Sequence, residues 1–169
     1  MNFALLVIVT VVGICLGCEF DQCKNGDNGS CGNACCKLNI HVKDLSTDEV
    51  MNKLNSSLVT GGVDGLYIPM MTAEGTLVFG DLRPYDKPVD FIGQTWHTTV
   101  NGLYNDTINM IVAPGHRGTD VVAFSISQIA GAYGDDGQNY YNIYQLFTSV
   151  FSADALSIKN ADQSCPSSS

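Results

Sequence analysis

Residues 89–129 read VDFIGQTWHTTVNGLYNDTINMIVAPGHRGTDVVAFSISQI, and this stretch decides the fold. Two runs rich in β-branched and aromatic residues, 89–100 and 103–113, flank Asn101-Gly102. Asn-Gly between two strand-like runs is the strongest short hairpin signal, because both residues tolerate positive φ. A second reversal falls at the PGHRGTD segment, and the run VVAFSISQI follows it. There Val122, Phe124 and Ile126 alternate with Ala123, Ser125 and Ser127, placing the two sets on opposite faces of a strand. The result is an antiparallel meander of at least three strands.

Outward from the meander, helices and further strands follow. TLVFGDL, residues 76–82, reads as a short strand before a proline-bounded loop, RPYDKP. Upstream, KLNIHV alternates Leu38, Ile40 and Val42 with polar neighbours and predicts a strand. In DLSTDEVMNKLNSSL, Ser46 and Glu49 form a capping box, Val50, Leu54 and Leu58 share one helical side, and Gly61-Gly62 ends the helix. Downstream, GAYGDDGQNYYNIYQLF combines a glycine- and aspartate-rich loop with an uncharged aromatic run. Tyr140, Ile143, Tyr144, Phe147, Val150 and Phe151 recur at helical spacing and predict a helix lying on the sheet. Its start needs a cap, which Asp135 or Asp136 supplies at the positive end of the helix dipole. The expected fold class is α+β, an antiparallel sheet of four to five strands packed by an N-terminal and a C-terminal helix.

The ends of the chain carry a different signal. An apolar run from Phe3 to Leu16 is too short for a confident membrane span and suits the core of a signal peptide, cut after Gly17. An uncleaved anchor, or a lipidated Cys18 in the CLGC segment, are the alternatives. Six of the seven cysteines follow the cut: Cys18, Cys23, Cys31, Cys35, Cys36 and Cys165. An even set behind a signal peptide predicts a disulfide framework and a secreted or secretory-lumen location. Adjacent Cys35 and Cys36 are expected to bond elsewhere than to each other, and Cys165 to tie the tail back to the N-terminal segment. Asn28, Asn55 and Asn105 stand in Asn-x-Ser/Thr sequons, the glycosylation pattern of secreted proteins. The expected division is a signal peptide at 1–17, a Cys-rich segment at 18–36, a single α+β domain at 37–155, and a polar tail at 156–169 tethered through Cys165.

Composition narrows the function. The 169-residue chain carries 8 basic and 17 acidic side chains, a formal net charge of -9, and no Lys/Arg block. That disfavours nucleic acid and anionic membrane surfaces as partners, and no membrane span is expected once the signal is removed. Asn25 and Asp27 resemble part of a calcium loop but lack the closing glutamate. No histidine stands at zinc-ligand spacing from the cysteines, so neither a metal nor a cofactor is expected. Among the histidines, His41 reads as a surface residue on a strand and His116 as a solvated turn residue. His97, beside Trp96 on a central strand, is the candidate for a buried polar site. No nucleophile elbow or phosphate-binding glycine loop is present.

One set of residues resembles a known signature. SISQI, a glycine, then DDGQNYYNI is similar to the C-terminal signature of the domain-of-unknown-function family numbered 1499, which runs Ser-x-Ser-Arg-x-Gly and then Asp-x-Gly-x-Asn-x-x-Arg-Ile. Ser125 and Ser127, Gly131, Asp135, Gly137, Asn139 and Ile143 fall on it. Tyr104 to Asp106 match the family's earlier aspartate after an aromatic. Gln128 and Asn142 stand at the two arginine positions, and one extra residue precedes each of Gly131 and Asp135. The resemblance covers about residues 89–151 and implies a small α+β domain without implying an activity.

The residues that carry a candidate site are Ser125, Ser127, Asp135 and Asn139 at the strand-to-helix junction, joined by Asp106 and His97 from paired strands. They read either as a hydrogen-bond network that fixes the turn or as the rim of a small-ligand site. The expected function is a secreted, disulfide-stabilised, non-enzymatic domain that binds a small molecule or a protein. The alternatives are a structural protein of an envelope or matrix, and a hydrolase using His97 and a carboxylate.

Overall fold

A computed structural model describes residues 32–165 of the chain. The signal segment, Cys18, Cys23, Cys31, the Asn28 sequon and the Asn25/Asp27 pair lie outside the described residues. Seven strands and two helices follow in the order β1 (Cys35–Lys43), α1 (Thr47–Leu58), β2 (Tyr67–Pro69), β3 (Phe79–Asp81), β4 (Phe91–Thr98), β5 (Asn105–Gly115), β6 (Gly118–Ser127), α2 (Gln138–Val150) and β7 (Leu156–Asn160). All pairings are antiparallel, and the sheet order is β2-β4-β5-β6-β1-β7, with β3 beside β2 on the same edge of β4. The class is α+β, as the patterning predicts. The strand count exceeds the expected four to five because the short strand β2 also pairs the edge of β4 and residues 156–160 are not tail. In β7, Leu156 and Ile158 alternate and pack on the core while the strand pairs β1 along 38–42.

The meander forms where expected, with a longer first turn. Thr98 is the last ladder partner of Asn105, and residues 99–104 close the hairpin. Gly102 takes φ 67°, and the Asn101 side chain accepts from Leu103 N and from the Thr99 hydroxyl. Asn101 thus acts as a side-chain turn former within a wider loop, and Asn-Gly is not a two-residue connection. Helix α1 starts on the Ser46–Glu49 capping box, with both reciprocal bonds formed. Its neighbour Thr47 donates to Asp90 at 2.6 Å, and Arg83 pairs both Asp48 and Asp81 while its guanidinium lies 4.6 Å from the Phe91 ring centroid. These contacts pin α1 to the β3–β4 edge. Asn55 lies inside α1 with its Oδ1 buried and unpartnered, and Asn105 opens β5.

Both helices pack on one face of the sheet. Val50, Leu54 and Leu58 of α1 and Ile143, Leu146 and Phe147 of α2 meet Leu38, Ile40, Val42, Ile108, Met110, Val112, Val121 and Ala123. The buried face of β6 is therefore the one carrying Ala123, Ser125 and Ser127, while Val122, Phe124 and Ile126 point the other way. Gly93 serves close approach on the core face: a Cβ there would stand 2.5 Å from the Phe79 ring. The aromatic stripe read for α2 is only half right. Ile143, Phe147 and Phe151 are buried, but Tyr144 is 41% exposed, and Asn139 and Asn142 take buried positions in its stead.

The opposite face carries no helix among the described residues and mixes apolar with polar side chains, Gln94 and Asn109 being hydrogen-bonded across it. Register aligns Ile68, Trp96, Thr107, Ile126 and Cys35 in one row and Ile92, Ile111 and Val122 in another, with Phe124 between them.

Cys36 faces the core and is bonded to Cys165, closing a loop of sequence separation 129. Cys35, on the other face, is also disulfide-bonded. The tail is thus tied to the N-terminal segment, and the adjacent cysteines do not bond to each other. Replacing Cys36 and Cys165 together with serine should lower the free energy of unfolding by as much as about 4–5 kcal/mol in the chain-entropy account of a loop this long. Urea denaturation checks it, and an unchanged midpoint refutes it.

Candidate functional site

The sheet's helix-facing side is apolar along most of its length and polar at one end. Tyr67, His97, Asp106 and Ser127 are register partners across β2, β4, β5 and β6, so four adjacent strands present a row of polar side chains. Buried polar groups need partners, because each one left unmade costs on the order of 1–3 kcal/mol. The partners come from the first half of α2, where Gln138, Asn139, Asn142 and Gln145 lie on one helical face.

Two hydrogen-bonded clusters result, side by side. In the first, Ser125 Oγ donates to Asn139 Oδ1 at 2.5 Å, and Asn139 Nδ2 donates to Ser127 Oγ at 3.1 Å, Asp135 Oδ2 at 2.6 Å and the Ala34 carbonyl at 3.0 Å. Asp135 Oδ2 also accepts from Asn139 N at 2.7 Å and its Oδ1 from Gly137 N at 3.0 Å. Gly137, at φ 81°, occupies the cap position itself and offers no side chain, so Asp135 caps the helix from two residues upstream. Asp136 is exposed. Asn139 is 1% exposed and Ser125 0%, which makes this cluster the sealed junction between β6 and α2.

The second cluster holds His97 and Asp106 together with residues that sequence reasoning did not single out. Asn142 Nδ2 donates to Asp106 Oδ2 at 2.7 Å, and its Oδ1 accepts from Gln138 Nε2 at 2.6 Å. Tyr67 donates its hydroxyl to the Asn142 carbonyl, and Gln145 Nε2 donates to that hydroxyl at 3.1 Å and to Asp64 Oδ2 at 2.9 Å. His97 Nε2 lies 3.0 Å from the same Asp64 oxygen, and its ring meets Tyr67 edge-on at 4.7 Å between centroids. Burial pushes the Tyr67 phenol well up, so it stays a protonated donor. At Asp64, burial raises the carboxyl, but hydrogen bonds from His97, Leu66 N and Gln145 outweigh it and hold the group below the usual carboxylate range.

All six residues expected at the site are thus buried or half-buried beneath α2, but in two groups. Ser125, Ser127, Asp135 and Asn139 form the junction; His97 and Asp106 belong to the cluster that opens to solvent. A cavity of about 510 Å³ borders it, lined by Asp64, Leu66, His97, Gln138, Gln145, Thr98 at the end of β4 and residues 99–101 of the β4–β5 loop. Its polar ends are Asp64, Gln138 and Gln145. Asn142 stands where the resembled family has an arginine and lies in this cluster, whereas Gln128, at the other arginine position, bonds Thr107 on the exposed side. Spacing 138, 142, 145 in an otherwise apolar helix was the available signal for the amide face. Asp64 sits in a glycine-rich loop and gave none. His41 pairs Asp120 at 2.7 Å near the surface.

No protein-family model, no curated protein and no solved structure matches the chain. Among the described residues, no group of three or more His, Cys, Asp or Glu side chains is placed to hold a metal ion, and no helix is long and apolar enough to cross a membrane.

Two outcomes follow from the geometry. Asp135→Ala removes acceptors for Asn139 N and Nδ2 and should cost about 1–2 kcal/mol of stability; an unchanged denaturation midpoint would count against the capping role. Because Asp64 is held more acidic in the folded state than in the unfolded chain, its bonds stabilise fully above the unfolded value and are lost as pH falls through the folded one. Urea midpoints taken between about pH 6 and pH 2 should therefore converge for the native chain and Asp64→Asn at the acid end. A gap that is constant or widens in acid would contradict the assignment.

Proposed function

We propose that the protein is a secreted, disulfide-stabilised, non-enzymatic domain that binds a small polar ligand in the cavity between α2 and the β4–β5 loop. The observation that carries the reading is the convergence of Asp64, Gln138 and Gln145 on that cavity, held from behind by buried His97, Asn142 and Tyr67 respectively. Side chains fixed in this way need little ordering when a ligand arrives. Apolar wall comes from Leu66 and Val100, and polar selection from a carboxylate and two amides. An ionised Asp64 selects hydrogen-bond donors, so a ligand with hydroxyl or ammonium groups fits. The cysteines and sequons support a secretory route.

The His97–Asp64 pair favours a second reading, a hydrolase with His97 as general base. No serine or cysteine lines the cavity. Thr99 donates its hydroxyl to Asn101 at 2.7 Å, and the Thr98 hydroxyl lies within 3.3 Å of the Tyr104 carbonyl, so neither is presented to His97 as a nucleophile. Binding is the stronger reading.

Native and denaturing mass spectrometry of the secreted protein separates them. Binding predicts mass that is present under native conditions, vanishes on denaturation, and is lost in Gln145→Ala while the far-ultraviolet circular dichroism is kept. Wild-type protein with nothing bound, and with no thermal stabilisation by a panel of sugars, polyols and amines, would refute the reading. Turnover of an ester or glycoside panel, abolished in His97→Ala, would establish the hydrolase.

A further inference from the structure

On the side of the sheet away from α2, a hairpin and the edge strands enclose a second cavity. Strands β2 and β3 both pair β4, β2 along residues 95–97 and β3 along residues 91–93. Only Gln94 is left opposite residues 70–78, so that stretch leaves the ladder as a hairpin. Met71 bridges Leu77, and the Thr72 and Thr76 hydroxyls close the tip at 2.8 Å. The chain re-enters the sheet at Val78, whose φ of 68° is sterically costly for a β-branched residue. Its surroundings hold that bend. The Val78 side chain is buried, its N–H donates to the Met70 carbonyl at 2.7 Å, and its carbonyl accepts from Gln94 N at 3.0 Å.

The hairpin, β3 and the helix-free side of β4 and β5 together line a cavity of about 380 Å³, a volume that suits a small molecule. Gly80 leaves a side-chain position in it empty, because a Cβ there would come no closer than 3.8 Å to Thr72 and 3.9 Å to Glu74 Oε2. The same distance shows the Glu74 carboxylate folded back from the hairpin over β3, where it lines the cavity. Among the described residues Glu74 makes no ion pair, whereas Asp81, the other carboxylate at the cavity, is held by Arg83. Met71, Leu82, Ile92 and Ile111 supply apolar wall. On the floor Gln94 Nε2 donates to Asn109 Oδ1 at 2.8 Å, a bond that uses only one end of each amide.

We propose that this cavity binds a small amphipathic amine, with its ammonium on Glu74 and its hydrocarbon or aromatic body against Met71, Ile92 and Ile111. An unpaired carboxylate beside apolar walls selects a ligand that is cationic at one end and apolar at the other. A neutral ligand of the same shape forgoes the charge-assisted bond, and an anionic one meets repulsion. The formal net charge of -9 acts in the same sense, drawing cations to the protein and turning anions away. The site lies on the opposite face from the α2 cavity and does not rest on the reading of that cavity.

Saturation-transfer NMR titrations of the full chain test it, with phenethylamine as the probe and phenethyl alcohol and hydrocinnamate as neutral and anionic matches of its shape. We expect the amine to bind, the alcohol to bind about tenfold more weakly, and the carboxylate not to bind. Glu74→Gln should bring the amine down to the level of the alcohol. Gly80 has no left-handed φ, so Gly80→Val fills the empty position in ordinary strand geometry and should abolish binding of both ligands with circular dichroism unchanged. No binding of the amine would overturn the proposal, as would equal affinity for amine and alcohol or amine binding that survives Gly80→Val. Should Gly80→Val fail to fold, Glu74→Gln on the exposed hairpin still decides. Amine binding lost in Gln145→Ala but kept in Glu74→Gln would place the amine in the α2 cavity and overturn the second site while leaving the first reading intact.

Discussion

The interaction on which the rest depends is the amide face of α2 set against the polar row of the sheet. A helix that buries Asn139 and Asn142 at 1% and 0% exposure cannot dock on an apolar surface, because each amide would forfeit its bonds to water without replacement. It docks where Tyr67, His97, Asp106, Ser125 and Ser127 offer partners, and its apolar residues, Ile143, Leu146 and Phe147, then fall on the hydrophobic end of the sheet. Register of the helix on the sheet is thereby fixed by matching polar to polar. Greasy contact alone would leave the helix free to slide by a turn at small cost.

The same constraint explains why much of the fold was legible and part of the site was not. Helix α1 is specified locally: Ser46, Glu49 and the Val50, Leu54, Leu58 stripe each state it independently. The meander is likewise written in alternation and turn residues. Tyr144 misled because an aromatic at helical spacing looks like core, yet the positions that face the sheet at that end belong to Asn139 and Asn142. Those amides are buried for partners that lie 12 to 36 residues away in sequence, and no local pattern contains that information. Asp64 is the extreme case, since His97 is 33 residues distant and the glycine-rich loop that carries Asp64 has no periodicity. Strand β7 was missed for another reason. Five residues flanked by a polar tail give too short an alternation, and the free edge of β1 that recruits them exists only after β1 has paired β6.

Placing β1 inside the sheet also sets the order of dependence. Its ladder partners are β6 and β7, both distant in sequence, so this inner strand is paired only by residues late in the chain. Loop closure over such separations is entropically expensive, and the Cys36–Cys165 bond lies at the point where it helps most. It fastens the last described residue to the first strand and keeps β7 on the edge that it would otherwise leave by fraying.

Two neighbouring cysteines on one strand acquire a meaning from this geometry. Successive side chains of a strand point to opposite faces, so Cys35 and Cys36 are each other's worst partners and each other's complement. Cys36 secures the helix side, where the polar row and α2 meet; Cys35 secures the side where no described helix lies. The pair therefore places a disulfide on each face of one sheet. In a small domain this arrangement fits the physics: the polar row gives part of the interior to hydrogen bonds that contribute little net stability, and covalent closure offsets what a fully apolar core would have supplied.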